Sequence, residues 1–293
     1  MASLQDAIDR LPAPFRDEKF SLLQQGIDDC QDTEVYVNQE RDFAFLEPRP
    51  EVNYVAYRPR VKKLALGAYK KTLSVTGRRF EKIATLFPGA CKVLEVGAGD
   101  GAFLAHVADL FPRLSLACVE VDQNTQPDRD SLPGLVQYAS LADVCELGER
   151  YDLVCAFHVL EHILEPAQFL EECRSRLAPG GRLIFEVPSL DDPLLSLYES
   201  PAYRCFYFQR QHPYVYSARS LPRLLEHSGL HVEQVIPHQR YGLENHLQWL
   251  TRGEPGGNER FRETFRELEP GYARTLEESG RSDAVIVVAG EPH

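Results

Sequence analysis

The stretch Cys91-Lys-Val-Leu-Glu-Val-Gly-Ala-Gly-Asp-Gly101 decides the fold. Its first six residues predict a short apolar strand, its glycines predict a tight turn, and a helical pattern then continues to Phe111. Further apolar runs of strand length alternate with helical segments. They lie at residues 114–120, 135–139, 151–157, 182–187, 231–236 and 284–288. This alternation predicts an α/β protein with a doubly wound, seven-stranded, mostly parallel sheet.

Two segments flank or interrupt this pattern. Residues 1–60 are predicted to be irregular, because prolines at positions 12, 14, 48, 50 and 59 interrupt any long helix. Their aromatic residues favour packing on the main domain, as an arm or lid. Residues 61–293 are predicted to form that domain, with an insertion at 238–282 before the last strand. Helices are predicted over 61–87, from Pro166 to the Pro179-Gly180-Gly181 stop, and over 220–229.

Composition argues against several function classes. The chain has 293 residues, with 32 Lys+Arg against 44 Asp+Glu and a net charge of −12. Such a protein repels phosphate backbones and anionic headgroups, so we expect no nucleic-acid or membrane partner. The apolar runs are too short to span a bilayer, and the N-terminus lacks the apolar region of a secretory signal. Seven scattered cysteines without a C-x-x-C pair favour reduced thiols and a cytoplasmic location.

Two carboxylates accompany the glycine turn. Its G-A-G-D-G spacing lacks the third glycine of the G-x-G-x-x-G fingerprint of dinucleotide binders. Glu95 lies two residues before the first glycine, where a carboxylate suits an amino group or a positive charge and disfavours a pyrophosphate. Glu120 ends the second strand, where an acid can accept hydrogen bonds from both hydroxyls of a ribose. The alternative for Glu120 is a solvated acid at a strand end.

Taken together, the motifs resemble those of the class I S-adenosylmethionine-dependent methyltransferases. The resemblance is carried by LEVGAGDG, CVEVD, FHVLEHILEP, LAPGGRLIFEVP and the HPYVYS to LPRLLEHSGL stretch, and it covers roughly residues 61–236 and the last strand. The later motifs are similar to those of the small-molecule and sugar-type branch. The resemblance implies a Rossmann-like methyltransferase fold, S-adenosylmethionine as cofactor and S-adenosylhomocysteine as product.

Matching positions carry the family's cofactor contacts onto this sequence. The resemblance assigns the methionine and ribose side to Glu95, Gly97, Ala98, Gly99 and Gly101, the ribose hydroxyls to Glu120, the adenine to Val121, Ser140 and Leu141, and the surroundings of the sulfonium to Phe157, His158 and His162. The chain departs from the family at the adenine. Many relatives have an acid directly after the third strand, whereas this chain has Ala139-Ser140-Leu141, and Asp143 is the alternative.

An alcohol acceptor loses a proton during methyl transfer, so we expect a base, for which histidine is the usual candidate. His212 ranks first, because it lies in an aromatic and polar stretch within 190–220, where the family has its acceptor lid. His246, in the insertion, ranks second, and His158 is the third candidate. Simpler alternatives stay open, namely aromatic core around His212 and a helix cap at His246.

These features predict an enzyme that O-methylates a small polar acceptor, such as a sugar of a surface polysaccharide or of a glycosylated metabolite. Alternatives are an N- or C-methyltransferase of another small molecule, a protein methyltransferase, or a non-catalytic cofactor-binding module. We predict no metal site: His158 and His162 are four residues apart, but neither Glu161 nor Glu165 is a convincing third ligand. The acceptor and the oligomeric state stay open.

Overall fold

The computed structural model describes residues 4–49 and 69–292, with side chains from residue 75 onward in the second range. Of the helix predicted over 61–87, residues 61–68 lie outside the described residues. The rest forms a helix and a 3-10 turn that end just before Pro88 and Gly89. No helix among the described residues is long and apolar enough to cross a membrane.

The strands form two sheets, one of four strands and a larger one of seven. In the described ranges the strands are β1 Phe20–Ile27, β2 Cys30–Asn38, β3 Phe43–Glu47, β4 Lys92–Val96, β5 Ser115–Val119, β6 Val136–Tyr138, β7 Tyr151–Phe157, β8 Leu177–Pro188, β9 Tyr214–Tyr216, β10 His231–His238 and β11 Ala284–Gly290. The larger sheet has the order β6-β5-β4-β7-β8-β11-β10. Neighbours from β6 to β8 are parallel, and β11 is antiparallel to both of its neighbours. The predicted fold class is confirmed.

Helices pack on both faces of this sheet. The helices of the described residues are α1 Leu4–Asp9, α2 Tyr69–Ile83, α3 Ala102–Leu110, α4 Gln126–Arg129, α5 Leu141–Glu146, α6 Pro166–Arg174, α7 Pro193–Ser196, α8 Pro201–Tyr207, α9 Ser220–His227, α10 Leu243–Arg252, α11 Glu259–Phe265 and α12 Glu269–Glu278. Alternate strand residues enter two cores, because successive side chains point to opposite faces. Leu94 and Val96 pack with α6 and α9, and Val93 packs with α2 and α3.

The prediction of an irregular N-terminal segment is wrong. Strands β1, β2 and β3 form an antiparallel sheet, and β9, which follows the fifth strand of the large sheet, extends it. Pro12 and Pro14 precede these strands and Pro48 follows them, so the prolines bound the sheet rather than interrupt it. The rings of Phe15 and Phe43 stack 3.8 Å apart in the core that this segment shares with the large sheet.

Two other boundaries differ from the predictions. Helix α6 ends at Arg174, and Pro179-Gly180-Gly181 lies inside β8 rather than at a helix stop. The pairing of β8 with β7 shifts register there, so these residues form an irregularity in a strand. The insertion after β10 consists of α10, α11 and α12.

Candidate active site

The glycine turn follows β4 and lies under the turn that follows β7. Gly97 has a φ of 77°, and its N–H donates to the carbonyl of Val119 at 2.8 Å. A Cβ on Gly97 would overlap Cγ2 of Val159. Only glycine combines this left-handed backbone with so close an approach. Gly99 and Gly101 also have positive φ values, of 60° and 79°.

Glu95 is a buried carboxylate at the end of β4. Its side chain is 4% exposed, and its Oε2 has no hydrogen-bond partner among the described residues. Burial raises the pKa of Glu95 to about 8, against the opposing effect of Arg79. An unpaired buried carboxyl is costly unless a ligand compensates it. Glu95 is therefore suited to bind a cationic group.

Glu120 is fixed on the glycine turn. Its Oε2 accepts from the N–H of Gly99 at 2.7 Å, and its Oε1 accepts from the N–H of Asp122 at 2.8 Å. A carboxylate oxygen can accept more than one hydrogen bond, so a carboxylate held here suits ribose hydroxyls. Below the turn, the buried Arg129 donates to the carbonyl of Gly99 at 2.6 Å and to Thr125 Oγ1 at 2.5 Å. Sequence analysis did not find Arg129, whose role depends on α4 folding back under the turn.

The candidate adenine residues surround the ends of β5 and β6. Val121 is 61% exposed, which leaves an apolar surface for a flat ring, and Leu141 is buried. Ser140 begins α5, where its hydroxyl accepts from the N–H of Asp143 at 3.3 Å. The carboxylate of Asp143 in turn accepts from the N–H of Ser140 at 2.8 Å. This capping box occupies one oxygen of Asp143 and fixes the loop at the adenine side.

Phe157 and His158 end β7. The Phe157 ring lies under the guanidinium of Arg79, 4.5 Å from its centroid, and Ala98 is buried in the same core. His158 has a φ of 57°, an uncommon value for a residue with a side chain, of the kind that clusters at functional sites. Its Nδ1 lies 3.1 Å from Glu161 Oε1, and its Nε2 lies 2.8 Å from Glu186 Oε1.

Charged side chains surround both ring nitrogens of His158. Burial and Arg240 act to lower the pKa of His158, but the hydrogen bonds to Glu161 and Glu186 raise it overall. Arg240 Nη1 also lies 2.7 Å from Nε2 of His158, a contact that would need a lone pair there. Both ring nitrogens of His158 are therefore engaged by protein side chains, an arrangement that favours a positioning role.

Glu186, which sequence analysis did not find, is the centre of this buried charge network. It is fully buried on β8 and accepts from Arg79 Nε and Nη2 at 2.6 and 3.1 Å. His238 Nδ1 lies 3.3 Å from its other side. Burial opposes ionisation, but Arg79 and the histidines hold the pKa of Glu186 well below its ordinary value. A charged residue within the apolar run Leu183-Ile-Phe-Glu-Val187 was the signal available in the sequence.

Two imidazoles and a carboxylate meet beside this network. The rings of His162 and His212 are 4.6 Å apart, edge to face. The ligand atoms of Glu161, His162 and His212 all lie within 4.8 Å of one another. Burial and the neighbouring His162 lower the pKa of His212 to about 3, so it is neutral at neutral pH. Burial opposes ionisation of Glu161, but the hydrogen bond from His158 lowers its pKa to about 2.

His246 lies apart from this cluster. It is 1% exposed on α10, and its Nδ1 is 2.5 Å from the hydroxyl of Tyr272. Its Nε2 lies 3.4 Å from Gln239 Nε2. Burial lowers the pKa of His246 to about 4. Both nitrogens face side chains of the insertion and of the end of β10, an arrangement that supports packing there more than proton transfer.

A cavity of about 470 Å³ separates the N-terminal sheet from the segment after β8. None of its lining residues belongs to the glycine turn. Six of its lining residues carry charge, namely Glu40, Arg41, Asp191, Glu199, Arg204 and Arg219. Apolar residues such as Leu190 and Phe208 line it as well. The cavity therefore combines apolar surface with charges of both signs.

Comparisons with known proteins agree with this geometry. The family described as "Methyltransferase domain" matches residues 38–235, more than half of the chain. A probable S-adenosylmethionine-dependent methyltransferase of Mycolicibacterium smegmatis is 30% identical over 146 residues, 49% of this chain and 53% of that protein. A ubiquinone biosynthesis O-methyltransferase of Xanthomonas axonopodis pv. citri is 30% identical over 105 residues, 34% of this chain and 44% of that protein. The matches span about half or less of these relatives.

A solved structure shares the fold. The plantazolicin methyltransferase in complex with S-adenosylhomocysteine aligns over 82% of this chain and 92% of its own, with a TM-score of 0.53 and 12% identity. Fold and glycine turn together define a class I S-adenosylmethionine-dependent methyltransferase. The chain belongs to the methyltransferase-domain family, and the predicted family and enzyme class are confirmed.

S-adenosylmethionine, the cofactor of this class, fits the residues present. The unpaired buried oxygen of Glu95 suits the amino group of the methionine moiety. Gly97 allows the turn to approach Val159 closely, and the carboxylate of Glu120, held at the turn, is an acceptor suited to ribose hydroxyls. The insertion that holds His246 lies beyond the family match, which ends at residue 235.

Proposed function

We infer that this enzyme transfers the methyl group of S-adenosylmethionine to a hydroxyl oxygen of a small polar acceptor. The acceptor class is a sugar, in a surface polysaccharide or a glycosylated metabolite. The observation that carries this proposal is the grouping of Glu161, His162 and His212 at the end of β7. Val159, in the same turn, contacts the glycine turn, so the cluster belongs to the cofactor's edge of the sheet.

Different residues of the chain have different roles in methyl transfer. When bound, the cofactor supplies an electrophilic methyl group on a sulfonium. Glu95 would hold the amino group of its methionine moiety and Glu120 its ribose hydroxyls, and Phe157 would lie beside its sulfonium. In-line displacement depends mainly on holding the two reactants in line. The buried network around Glu186 fixes His158, and His158 orients Glu161, so these groups act by positioning.

The acceptor's proton leaves at the histidine pair. The ring of His212 makes no hydrogen bond to a described residue, whereas His162 Nδ1 faces the carbonyl of Gln211 at 2.9 Å. A carbonyl only accepts, so Nδ1 of His162 donates to it and Nε2 is the ring nitrogen that can take a proton. The acceptor hydroxyl would approach the nitrogens of this pair. His212, the first-ranked candidate from the sequence, stays in the proposal as the neutral ring that accepts the hydrogen bond of the acceptor hydroxyl. Because a pKa of about 3 makes His212 a weak base, its partner His162 takes the proton.

One further observation favours oxygen as the accepting atom. Three curated relatives are named as ubiquinone biosynthesis O-methyltransferases.

The test is methyl transfer from labelled S-adenosylmethionine to a panel of monosaccharides, nucleotide sugars and glycosides. We expect label on an ether oxygen of one acceptor class, and His212→Gln to lose about 10²–10⁴-fold in kcat/KM, the scale of acid–base catalysis. His227→Gln, on the exposed end of α9, is the matched control. Label on nitrogen, carbon or protein would reassign the acceptor, and cofactor binding without transfer to any acceptor would favour a non-catalytic module.

A further inference from the structure

Three potential metal ligands converge from two separate segments. Glu161 and His162 lie in the 3-10 turn Leu160–His162 after β7, and His212 lies just before β9. Their ligand atoms are all within 4.8 Å of one another. Bonds of about 2.1 Å place the ligands of a tetrahedral ion roughly 3.4 Å apart, so the three side chains would move toward one another on binding.

The carboxylate of Glu161 provides a second, independent observation that points to a bound cation. Its side chain is 3% exposed, and one oxygen, Oε1, lies 3.1 Å from His158 Nδ1. The other, Oε2, is buried without a hydrogen-bond partner among the described residues. Buried carboxylate oxygens are nearly always paired with a donor or a cation, because desolvation without a partner is costly.

The surrounding residues orient these ligands. His162 donates from Nδ1 to the carbonyl of Gln211 at 2.9 Å, which assigns the lone pair to Nε2. Histidine ligands of metal ions almost always donate their other N–H to such an acceptor. His158 holds one oxygen of Glu161 in the same way and is itself fixed by Glu186. Hydrogen bonds from neighbouring groups thus orient His162 and Glu161, as they orient the ligands of metal ions.

We propose that Glu161, His162 and His212 bind one divalent transition-metal ion, of the Zn²⁺, Mn²⁺ or Fe²⁺ class. Two imidazoles and one carboxylate are a donor set for these ions, and three protein ligands leave coordination positions open. The role of the ion rests on the proposed function: with His162 and His212 engaged as its ligands, the ion replaces them as the group that activates the acceptor. It would coordinate the acceptor oxygen as a Lewis acid and lower the pKa of the hydroxyl, whose proton then leaves to solvent. An acceptor with two neighbouring oxygens, such as a sugar diol, would chelate it.

Cobalt binding tests the site without any acceptor. The full-length protein, freed of metal with EDTA, is titrated with Co²⁺ and followed by its visible absorption bands, with Zn²⁺ as competitor. We expect one Co²⁺ per chain, displaced by Zn²⁺. His212→Gln and Glu161→Gln should each weaken Co²⁺ binding about a hundredfold or more, since even changes around the ligands cost about 10–100-fold.

Matched variants control for indirect effects. His227→Gln and Glu165→Gln change the same residue types at exposed positions and should bind Co²⁺ as the wild type does. If the Glu161→Gln variant does not fold, the Co²⁺ affinity of His212→Gln alone tests the site. Absent visible bands, or unchanged Co²⁺ affinity in His212→Gln, would overturn the metal site. Metal binding without methyl transfer would contradict only the proposed function, and methyl transfer by metal-free enzyme would contradict only this inference.

Discussion

Replacement of Glu95 by glutamine should make the cofactor-free protein more stable and its cofactor binding weaker. Glu95 is buried at the end of β4 and has an unpaired oxygen among the described residues. Burial raises its pKa from the ordinary 4.5 to about 8. Between pH 4.5 and pH 8, Glu95 is therefore protonated in the folded state and ionised in the unfolded state. Glutamine has the shape of the protonated form and cannot ionise.

The sign and size follow from this difference in proton binding. With a raised pKa in the folded state, the contribution of Glu95 to stability is complete below about pH 4.5 and is lost as the pH rises toward 8. Each pH unit in this window costs about 1.36 kcal/mol. The wild type is thus penalised by about 1 kcal/mol at pH 5.5 and about 3 kcal/mol at pH 7, relative to Glu95→Gln.

Urea unfolding of the cofactor-free proteins at pH 5.5 and 7 measures this difference. The advantage of Glu95→Gln should grow between the two values, while the urea dependence of the free energy of unfolding stays unchanged. Calorimetry should show weaker S-adenosylhomocysteine binding by the same variant, because a neutral amide replaces the carboxylate that faces the amino group. A variant that is less stable at pH 7, or equally affected at both pH values, would refute the argument.

Two further substitutions test the turn and the charge network. Gly97→Val should abolish cofactor binding in a folded protein, because its side chain would overlap Val159, and calorimetric binding at wild-type affinity would contradict this. Glu186→Ala leaves Arg79 buried without its partner and should cost about 3–5 kcal/mol in urea unfolding. Glu233→Ala, which breaks a more exposed ion pair, should cost no more than about 1 kcal/mol, and equal losses would contradict the assigned role of burial.

The large sheet could be predicted because its signals are local. Strand β7 has the predicted bounds, since a parallel strand buried on both faces is apolar throughout. The N-terminal sheet could not be predicted in this way, because β3 pairs with β9 about 170 residues further along the chain. Strand β2 alternates exposed and buried residues only in part, and the apolar run of β3, Phe43-Ala-Phe-Leu46, is only four residues long.

The candidate site shows the same contrast between local and long-range signals. Glu95, Gly97 and Glu120 follow directly from two adjacent strands, so a motif of short spacing marked them. The cluster of Glu161, His162 and His212 depends on a segment 50 residues away that folds back onto the turn after β7. Spacing along the sequence could indicate the first two residues but not the third. Glu186 was signalled only by a charge inside an apolar strand.

The central claim is that the turn after β4 and the acid after β5 bind S-adenosylmethionine. Calorimetric titration of the full chain with S-adenosylhomocysteine tests it most directly, with Glu120→Ala as the comparison. We predict one site per chain, and a loss of about 1.5–3 kcal/mol in the binding free energy of Glu120→Ala, the scale of hydrogen bonds to a charged group. Binding at the same affinity by both proteins, or no binding by either, would contradict the claim.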